Sequence, residues 1–175
     1  VYPQKLDEAL NTDAPKKPLF RVFEKGRTGF NSGQLLQALK NRPWLLRYDP
    51  DVVVLQFGTN DVREDQQQTS TKQFVENAKA LVDLIQNPPK ELVPNGYTEG
   101  RKPKIVLCTI PPMNRPEGTG DVLTGKSEQR IKEELNPALR KLAADNGLSV
   151  ADWDDVLTQK KREWPQLYAA DGVHF

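Results

Sequence analysis

The chain has 175 residues, of which 37% are hydrophobic, and a formal net charge of +1 from 25 basic and 24 acidic residues. This composition is that of one globular domain with a buried core, and it excludes disordered and collagen-like chains. The balanced charge excludes strong electrostatic steering toward nucleic acid or an anionic membrane. No apolar run approaches the roughly 20 residues that a membrane span needs. We therefore expect no nucleic-acid partner and no membrane span.

The first third of the chain alternates helical and strand-like patterns. Short helices are predicted over residues 3–10 and 32–40, with a weaker strand candidate at residues 19–24 between them. Residues 52–57, VVVLQF, are rich in β-branched residues and continuously apolar except for one glutamine. Such a run is typical of a parallel strand that is covered on both faces.

The alternation continues through the rest of the chain. A capping box of Ser70 and Gln73 predicts the start of an amphipathic helix. Residues 104–110, KIVLCTI, predict a second strong strand, residues 148–152 a weaker one, and residues 154–161 a last helix. The pattern predicts a three-layer α/β/α sandwich with a parallel, flavodoxin-like sheet.

One helical pattern contains a proline. Ile131, Leu135, Leu139 and Leu142 repeat on one face before Gly147, which is a suitable C-terminal stop. Pro137 should kink this helix or end a first segment, since proline has no N–H to donate.

The single cysteine, Cys108, lies inside the predicted strand at residues 104–110. One cysteine can form neither an internal disulfide nor a cysteine-based metal cluster. We expect a small buried hydrophobic residue.

Two glycine-containing segments are predicted to lie at the carboxyl edge of the sheet, where ligands bind in open α/β folds. In GTND, Asn60 follows a strand and could aim a side-chain amide at an oxyanion. Alternatively, Asn60 and Asp61 bond to the local backbone of a turn. In KGRTG, the N–H of Gly29 could be a second donor, or the segment is a tight turn before a helix capped by Asn31 or Ser32.

The only histidine, His174, follows Asp171 by three residues in DGVH. A carboxylate at this spacing could fix the imidazole tautomer and stabilise the imidazolium, as a general base requires. The alternative is a surface turn in which the histidine is incidental. A metal site is disfavoured, since one histidine and no cysteine cluster leave only carboxylates as ligands.

Taken in this order, the motifs KGRTG, FGTND and DGVH resemble three of the four blocks of the SGNH hydrolases, also called the GDSL esterase family. The resemblance extends over residues 1–175 as a single domain. It implies that His174 is the general base, that Asp171 orients it, and that Gly29 and Asn60 form the oxyanion hole. The implied reaction is ester hydrolysis through an acyl-serine, and nothing in the sequence calls for a cofactor or a metal.

The part of the chain from Leu123 onward most resembles members of this family that remove acetyl groups from sugars. That likeness implies a carbohydrate or another small-molecule ester as substrate, and it favours a secreted or periplasmic location. Trp44, Trp153 and Trp164 could stack on a sugar, but core packing is the more usual role of tryptophan.

The first block of that family, a strand that ends in Gly-Asp-Ser and supplies the nucleophile, is absent from these residues. The expected position of that strand is central, between residues 19–24 and 52–57. Ser32 is the serine nearest to the proposed site, but helix capping explains it better. We expect a domain that is incomplete at both ends, with the nucleophile upstream of Val1.

Two other functions compete with an esterase. A catalytically inactive module of the same fold could bind a glycan or a protein. A flavodoxin-like nucleotide binder would need a phosphate cradle at a helix N-terminus, and only GRTGFNSG, with Arg27, comes near that description.

Overall fold

A computed structural model describes residues 2–12, 19–42, 44–65, 68–93, 98, 100–113, 123 and 125–168 of the chain. Three strands, β1 (Val52–Leu55), β2 (Lys104–Cys108) and β3 (Ser149–Ala151), form one parallel sheet in that order. The α-helices are α1 (Tyr2–Leu10), α2 (Ser32–Asn41), α3 (Thr71–Gln86), α4 (Gly125–Arg130), α5 (Asn136–Asn146), α6 (Trp153–Gln159) and α7 (Trp164–Leu167). No helix in this described part is long and apolar enough to cross a membrane. The predicted α/β class and parallel sheet are confirmed.

The connections between strands are helical, as parallel pairing requires. α3 joins β1 to β2, where Val53 pairs with Ile105, and α4 and α5 join β2 to β3, where Leu107 pairs with Val150. The carboxyl ends of the three strands therefore lie at one edge of the sheet. The loops after β1, β2 and β3 are neighbours at the carboxyl edge, where the sequence motifs were expected.

The main core lies between one face of the sheet and helices α2, α3 and α5. α3 buries one face, with Phe74, Leu81 and Ile85 at most 1% exposed, against Ile105 and Leu107 of β2. Removing this apolar surface from water is the main stabilising contribution, at about 25 cal/mol per Å².

The opposite face of the sheet is more open than predicted. Val52 and Val54 alternate with Val53 and Leu55, which face the core, and are 50% and 37% exposed. Successive side chains of a strand point to opposite faces, so this set shares one surface. The expectation that the strands are covered on both faces is wrong for this surface, and it holds for the face that carries Leu55 and Leu107.

The strand predicted at residues 19–24 is wrong. Two of its residues bond to side chains in and just after α1: Asn11 accepts from the Phe20 N–H and donates to the Phe20 carbonyl, and Asp7 accepts from the Val22 N–H. Because these side chains satisfy those groups, the segment needs no strand ladder. Leu19 is 77% exposed, so the apolar pattern that predicted a strand is not buried here.

The helix with the internal proline changes type where the sequence indicates. Ile131–Leu135 forms a π-helical turn between α4 and α5, and Pro137 lies in the first turn of α5. The helix is continuous through this point, and the π-helical turn interrupts its regular hydrogen-bond ladder next to Pro137, which has no N–H to donate. α5 ends before Gly147, whose φ of 62° and N–H bonds to carbonyls of the last turn confirm the predicted stop.

Cys108 is fully buried at the end of β2, as predicted. Burial raises the pKa of its thiol, and the contact with Trp153 has a smaller, opposite effect. A buried thiol with a raised pKa is a poor nucleophile.

Candidate active site

The loop that follows β1, here called the asparagine loop (residues 58–62), turns sharply into a 3₁₀ helix, Thr59–Val62. Gly58 begins this turn with a φ of 116°, a conformation that side-chain-bearing residues rarely adopt. A Cβ added at Gly58 would lie 2.5 Å from Cδ1 of Ile110, the residue that leaves the neighbouring strand. The glycine is therefore required both by the turn and by the close packing of two strand exits.

The loop that precedes α2, here called the glycine loop (residues 26–30), contains the second predicted donor. Gly29 is exposed and has a φ of 80°, and no described atom lies within 4 Å of the position of an added Cβ. The backbone at Gly29 is thus open to a ligand. Asn31 caps α2 in a capping box. Its side-chain oxygen accepts from the Gln34 N–H, and the side-chain oxygen of Gln34 accepts from the Asn31 N–H.

The two loops meet. The Asn60 side chain donates an N–H to the Phe30 carbonyl at 3.2 Å, one residue after Gly29. An amide has two N–H groups, so this bond orients the Asn60 side chain and leaves the other N–H for an oxyanion. The structure brings the two predicted oxyanion residues to adjoining loops.

A buried carboxylate also joins the loops. Asp61 accepts the Ser32 N–H at 2.8 Å and the Ser32 hydroxyl at 2.5 Å, and both residues are fully buried. Burial raises the pKa of the Asp61 carboxyl, against the bonds from Ser32 and the positive charge of Arg130. The local-turn alternative for Asn60 and Asp61 fails, since their side chains bond to residues 30 and 29 positions away.

Arg130, at the end of α4, holds the asparagine loop from outside. Its guanidinium donates to the Asp61 carbonyl at 3.0 Å and to the Thr69 carbonyl, and the Thr69 N–H donates to the same Asp61 carbonyl. Arg130 and Thr69 therefore both bond to the Asp61 carbonyl, while Ser32 bonds to the Asp61 carboxylate.

Ser32 is not placed to act as a nucleophile. It follows the cap of α2, so the expectation that it is itself a capping residue is wrong. Its hydroxyl donates to Asp61 and accepts from Asn77 Nδ2 at 2.9 Å, with no exposed surface. A nucleophile must reach its substrate, and this hydroxyl is enclosed.

The three other serines have structural positions. Ser70 caps α3 by accepting the Gln73 N–H at 3.2 Å, which confirms half of the predicted capping box. Ser127 is 2% exposed and donates to the Val62 carbonyl at 2.8 Å. Ser149 is the first residue of β3, at the edge of the sheet opposite to both loops.

The exit of β2 forms the third side of this edge. The Asn136 amide donates to the Ile110 carbonyl at 2.9 Å and accepts the Ile110 N–H at 2.8 Å, so both backbone groups of the strand exit are satisfied by one buried side chain. The Tyr168 hydroxyl donates to the Pro112 carbonyl at 2.5 Å. Burial and the charge of Glu128 raise the pKa of Tyr168 to about 12, so it stays a donor at neutral pH.

Asp171 and His174 lie outside the described residues, and their assignment stays a prediction. Tyr168 lies three residues before Asp171, and its bond to Pro112 anchors the chain at the carboxyl edge of the sheet. Tyr168, the last described residue, therefore lies on the same side of the sheet as Gly29 and Asn60.

The tryptophans with described side chains are packing residues. Trp44 contacts the main core and donates to the Lys25 carbonyl at 3.2 Å, while Arg27 lies over its ring at 4.8 Å. Trp153 packs with Leu157 and Tyr168. The side chain of Trp164 lies outside the described part.

Sequence reasoning missed the residues that hold the two loops. Arg130, Asn136 and Tyr168 reach their partners across 26 to 69 residues of chain. No short motif contains such a pair. A polar residue on the apolar face of a helix, such as Asn136 between Leu135 and Leu139, was the one available indication.

Comparison with solved structures shows the same fold. An alpha/beta hydrolase enzyme from the metagenome of Lake Arreo, Spain, superposes with a TM-score of 0.71 at 18% identity, over 99% of this chain and 72% of that one. The acetyl xylan esterase AlAXEase gives 0.71 at 23% identity, over 99% and 82%. A catalytic mutant of an acetylxylan esterase from Geobacillus stearothermophilus gives 0.66 at 18% identity, over 97% and 71%.

Comparison with sequence families gives one further result. The model of the family described as GDSL-like lipase/acylhydrolase matches residues 1–175. A search of curated proteins finds no match.

Proposed function

The chain belongs to the GDSL-like lipase/acylhydrolase family and is a carboxylic ester hydrolase, and we propose that it removes acetyl or other short acyl groups from a carbohydrate through an acyl-serine intermediate. The observation that supports this mechanism best is the meeting of the asparagine and glycine loops. The bond from Asn60 to the Phe30 carbonyl joins the two loops that carry the proposed oxyanion donors.

An exposed glycine N–H and a fixed side-chain amide suit an oxyanion because neither group titrates and both are oriented before the reaction. Such donors stabilise the negative charge that develops in the transition state, and removing one costs about 100- to 1,000-fold in kcat. Gly29 supplies the backbone donor in this proposal, and Asn60 supplies the amide.

The proposed reaction has two balanced halves. The oxygen of a serine attacks the ester carbonyl carbon while His174 takes the hydroxyl proton, and the resulting oxyanion binds at Gly29 and Asn60. Collapse expels the alcohol, which receives the proton from His174. Water then attacks the acyl-serine in the same way and releases the acid. Asp171 orients the imidazole in both halves.

The nucleophile is expected upstream of Val1, in the block that ends in Gly-Asp-Ser, and this stays a prediction. Its support is the placement of the serines within the chain. Ser32, Ser70, Ser127 and Ser149 are each committed to a fold contact or lie at the opposite edge of the sheet.

The choice of an acylated carbohydrate as substrate has two supports. The net charge of +1 fits an uncharged ligand that needs no long-range steering. The chain also resembles carbohydrate esterases from Leu123 onward, and two of the superposed structures are acetyl xylan esterases.

A serine-directed fluorophosphonate tests the proposal. The intact protein should form one covalent adduct, and His174→Ala should form it at least about 100-fold more slowly, because general-base assistance is lost. Peptide mapping by mass spectrometry then locates the labelled serine. No adduct would contradict the acyl-serine mechanism and favour the inactive binding module, and an adduct on Ser32 would contradict the placement of the nucleophile.

The substrate class is tested separately. Release of acetate from acetylated xylan should exceed release from triacetylglycerol at equal acetyl concentration. Equal rates on both substrates would contradict the carbohydrate assignment and leave the esterase chemistry in place.

A further inference from the structure

We propose that Asp61 is a positioning residue, which through Ser32 fixes the distance between the two oxyanion donors. This inference rests on the proposed function, since it concerns the same pair, Gly29 and Asn60. Asp61 touches no proposed reacting atom. Its role is to join the loop that carries one donor to the helix that follows the other.

The carboxylate holds the first turn of α2 by two bonds. It accepts the Ser32 N–H at 2.8 Å and the Ser32 hydroxyl at 2.5 Å. The N–H groups of a first helical turn lack partners within the helix, and a negative charge there is favoured by the helix dipole. The start of α2 is thereby fixed to the asparagine loop rather than left to water.

Helix α3 fixes the direction of the serine hydroxyl. Asn77 of α3 donates to Ser32 Oγ at 2.9 Å and itself accepts from Gln73 at 3.1 Å. Since the hydroxyl accepts from Asn77, its one proton is committed to Asp61. Each bond in the chain from Gln73 to Asp61 has a defined donor, so the network has one arrangement.

The bonds between Asp61 and Ser32 also connect two residues that are close in sequence to the proposed donors. Asp61 is covalently next to Asn60, and Ser32 is three residues after Gly29. The bond from Asn60 to the Phe30 carbonyl runs parallel to these bonds. Two crosslinks between the same two loops restrict both translation and rotation of one donor relative to the other.

The burial of the Asp61 carboxylate indicates that it contributes to the relative position of the two loops more than to stability. Asp61 and Ser32 are both fully buried, and a buried charge is expensive even when it is hydrogen-bonded, so that apolar residues often hold two elements together at lower cost. Arg130 lies at the Asp61 carbonyl, not at the carboxylate. The arrangement is therefore better suited to fixing a position than to maximising stability.

The test is a double-mutant cycle on the intact protein with 4-nitrophenyl acetate as the probe. Asn60→Ala alone should lower kcat about 100-fold or more, as for loss of an oxyanion donor. Asp61→Asn alone should lower kcat about tenfold or more and change KM less than threefold. In the Asp61→Asn background, Asn60→Ala should cost at most about tenfold more, because the donor is already displaced.

Ser32→Ala guards against a variant that fails to fold, since it removes the two bonds of the hydroxyl, to Asp61 and from Asn77, and keeps the bond from the Ser32 N–H to Asp61. Its matched control is Ser127→Ala, which also deletes a buried hydroxyl, bonded to the Val62 carbonyl at 2.8 Å. Both should lose similar stability by urea unfolding. Only Ser32→Ala should lower kcat and reduce the cost of Asn60→Ala.

The outcomes separate the two proposals. If Asn60→Ala has no effect in the otherwise unchanged protein, the oxyanion assignment fails. If Asn60→Ala costs the same factor in all backgrounds, the oxyanion assignment stands and the positioning role of Asp61 is overturned. Equal loss of kcat in Ser32→Ala and Ser127→Ala would overturn it as well, since a purely structural effect would then explain both.

Discussion

The asparagine loop and the glycine loop carry one proposed donor each, but they are held in different ways. In the asparagine loop, Gly58 packs against Ile110 without room for a methyl group, and Asp61 and Val62 are fully buried. In the glycine loop, Gly29 is exposed and has open space around it. A side-chain donor is thus built on a rigid strand exit, and a backbone donor on a loop that depends on its neighbours for its position.

This difference explains why the contacts between the loops matter more to one than to the other. The asparagine loop is fixed by β1, by Arg130 and by its own packing, so it can serve as a reference. The glycine loop is placed by Phe30, by Ser32 and by the stacking of Arg27 on Trp44. Substitutions in the first loop should be costly to the fold, and those in the second should act mainly on catalysis.

Gly58→Ala should have the largest effect on stability. The new Cβ would lie 2.5 Å from Ile110 Cδ1 in a backbone with a φ of 116°. Overpacking and backbone strain together predict a loss of about 2–5 kcal/mol in the free energy of unfolding. Urea unfolding measures it, with Gly147→Ala as control, since Gly147 has a φ of 62° and open space. Equal losses in the two variants would contradict the close packing of the strand exits.

Arg130→Met should cause the second-largest loss of stability. Its guanidinium bonds the carbonyls of Asp61 and Thr69 with only 15% of the side chain exposed. Bonds to a charged donor contribute about 1.5–3 kcal/mol, and urea unfolding should show a loss of that size. Arg63→Met is the control, because a partly exposed ion pair such as that with Asp65 contributes about 0–1 kcal/mol. A smaller loss in Arg130→Met than in the control would contradict the role of Arg130.

Gly29→Ala should cost less stability and more activity. Backbone strain at a φ of 80° predicts about 1–2 kcal/mol, with no clash. Displacement of the donor should lower kcat for ester hydrolysis at least about tenfold. Gly147→Ala has the same strain far from both loops and should leave kcat within twofold. Loss of activity in both variants would indicate a general effect of strain.

The pH dependence of stability should differ in sign between the asparagine loop and the exit of β3. Burial raises the pKa of Asp61, so the folded chain binds a proton more tightly than the unfolded chain, and stability from this group falls as pH rises from 3.8 to the folded pKa. Arg140 lowers the pKa of Asp152, so stability from that group falls as pH drops below 3.8 toward the folded pKa. Unfolding measured between pH 3 and 6 should lose the first slope in Asp61→Asn and the second in Asp152→Asn.

Arg27→Ala should have the smallest effect. The stacking of this exposed guanidinium on Trp44 at 4.8 Å predicts a loss below about 1 kcal/mol. Differential scanning calorimetry should show a Tm shift of at most a few degrees. A larger shift would mean that the glycine loop is held by Trp44 more than by Ser32.

The sequence predicted the elements whose cause is local. The strands around Val54 and Val106 follow from continuous apolar runs, the cap at Ser70 from a motif of four residues, and the stop at Gly147 from the freedom of glycine. The same reasoning proposed Gly29 and Asn60 as oxyanion donors, since each lies where a predicted strand or helix meets a glycine turn.

The failures have non-local causes. Residues 19–24 have the composition of a strand, but the backbone groups of Phe20 and Val22 bond to the side chains of Asn11, just after α1, and Asp7 of α1. The pairing of Asp61 with Ser32 was equally hidden. In the sequence, each residue has a sufficient local explanation, which is helix capping for Ser32 and a turn for Asp61. Composition gives the preference of a segment, while its partner is decided by tertiary structure.

The contact between Arg130 and Asp61 spans 69 residues, and that between Ser32 and Asp61 spans 29. Closing such long loops costs entropy that short-range contacts do not, so these bonds should form after the helices. During refolding, helical circular dichroism should therefore recover before ester hydrolysis does. The proposed oxyanion site would then be among the last features of the chain to take shape, and its appearance would report the completion of folding.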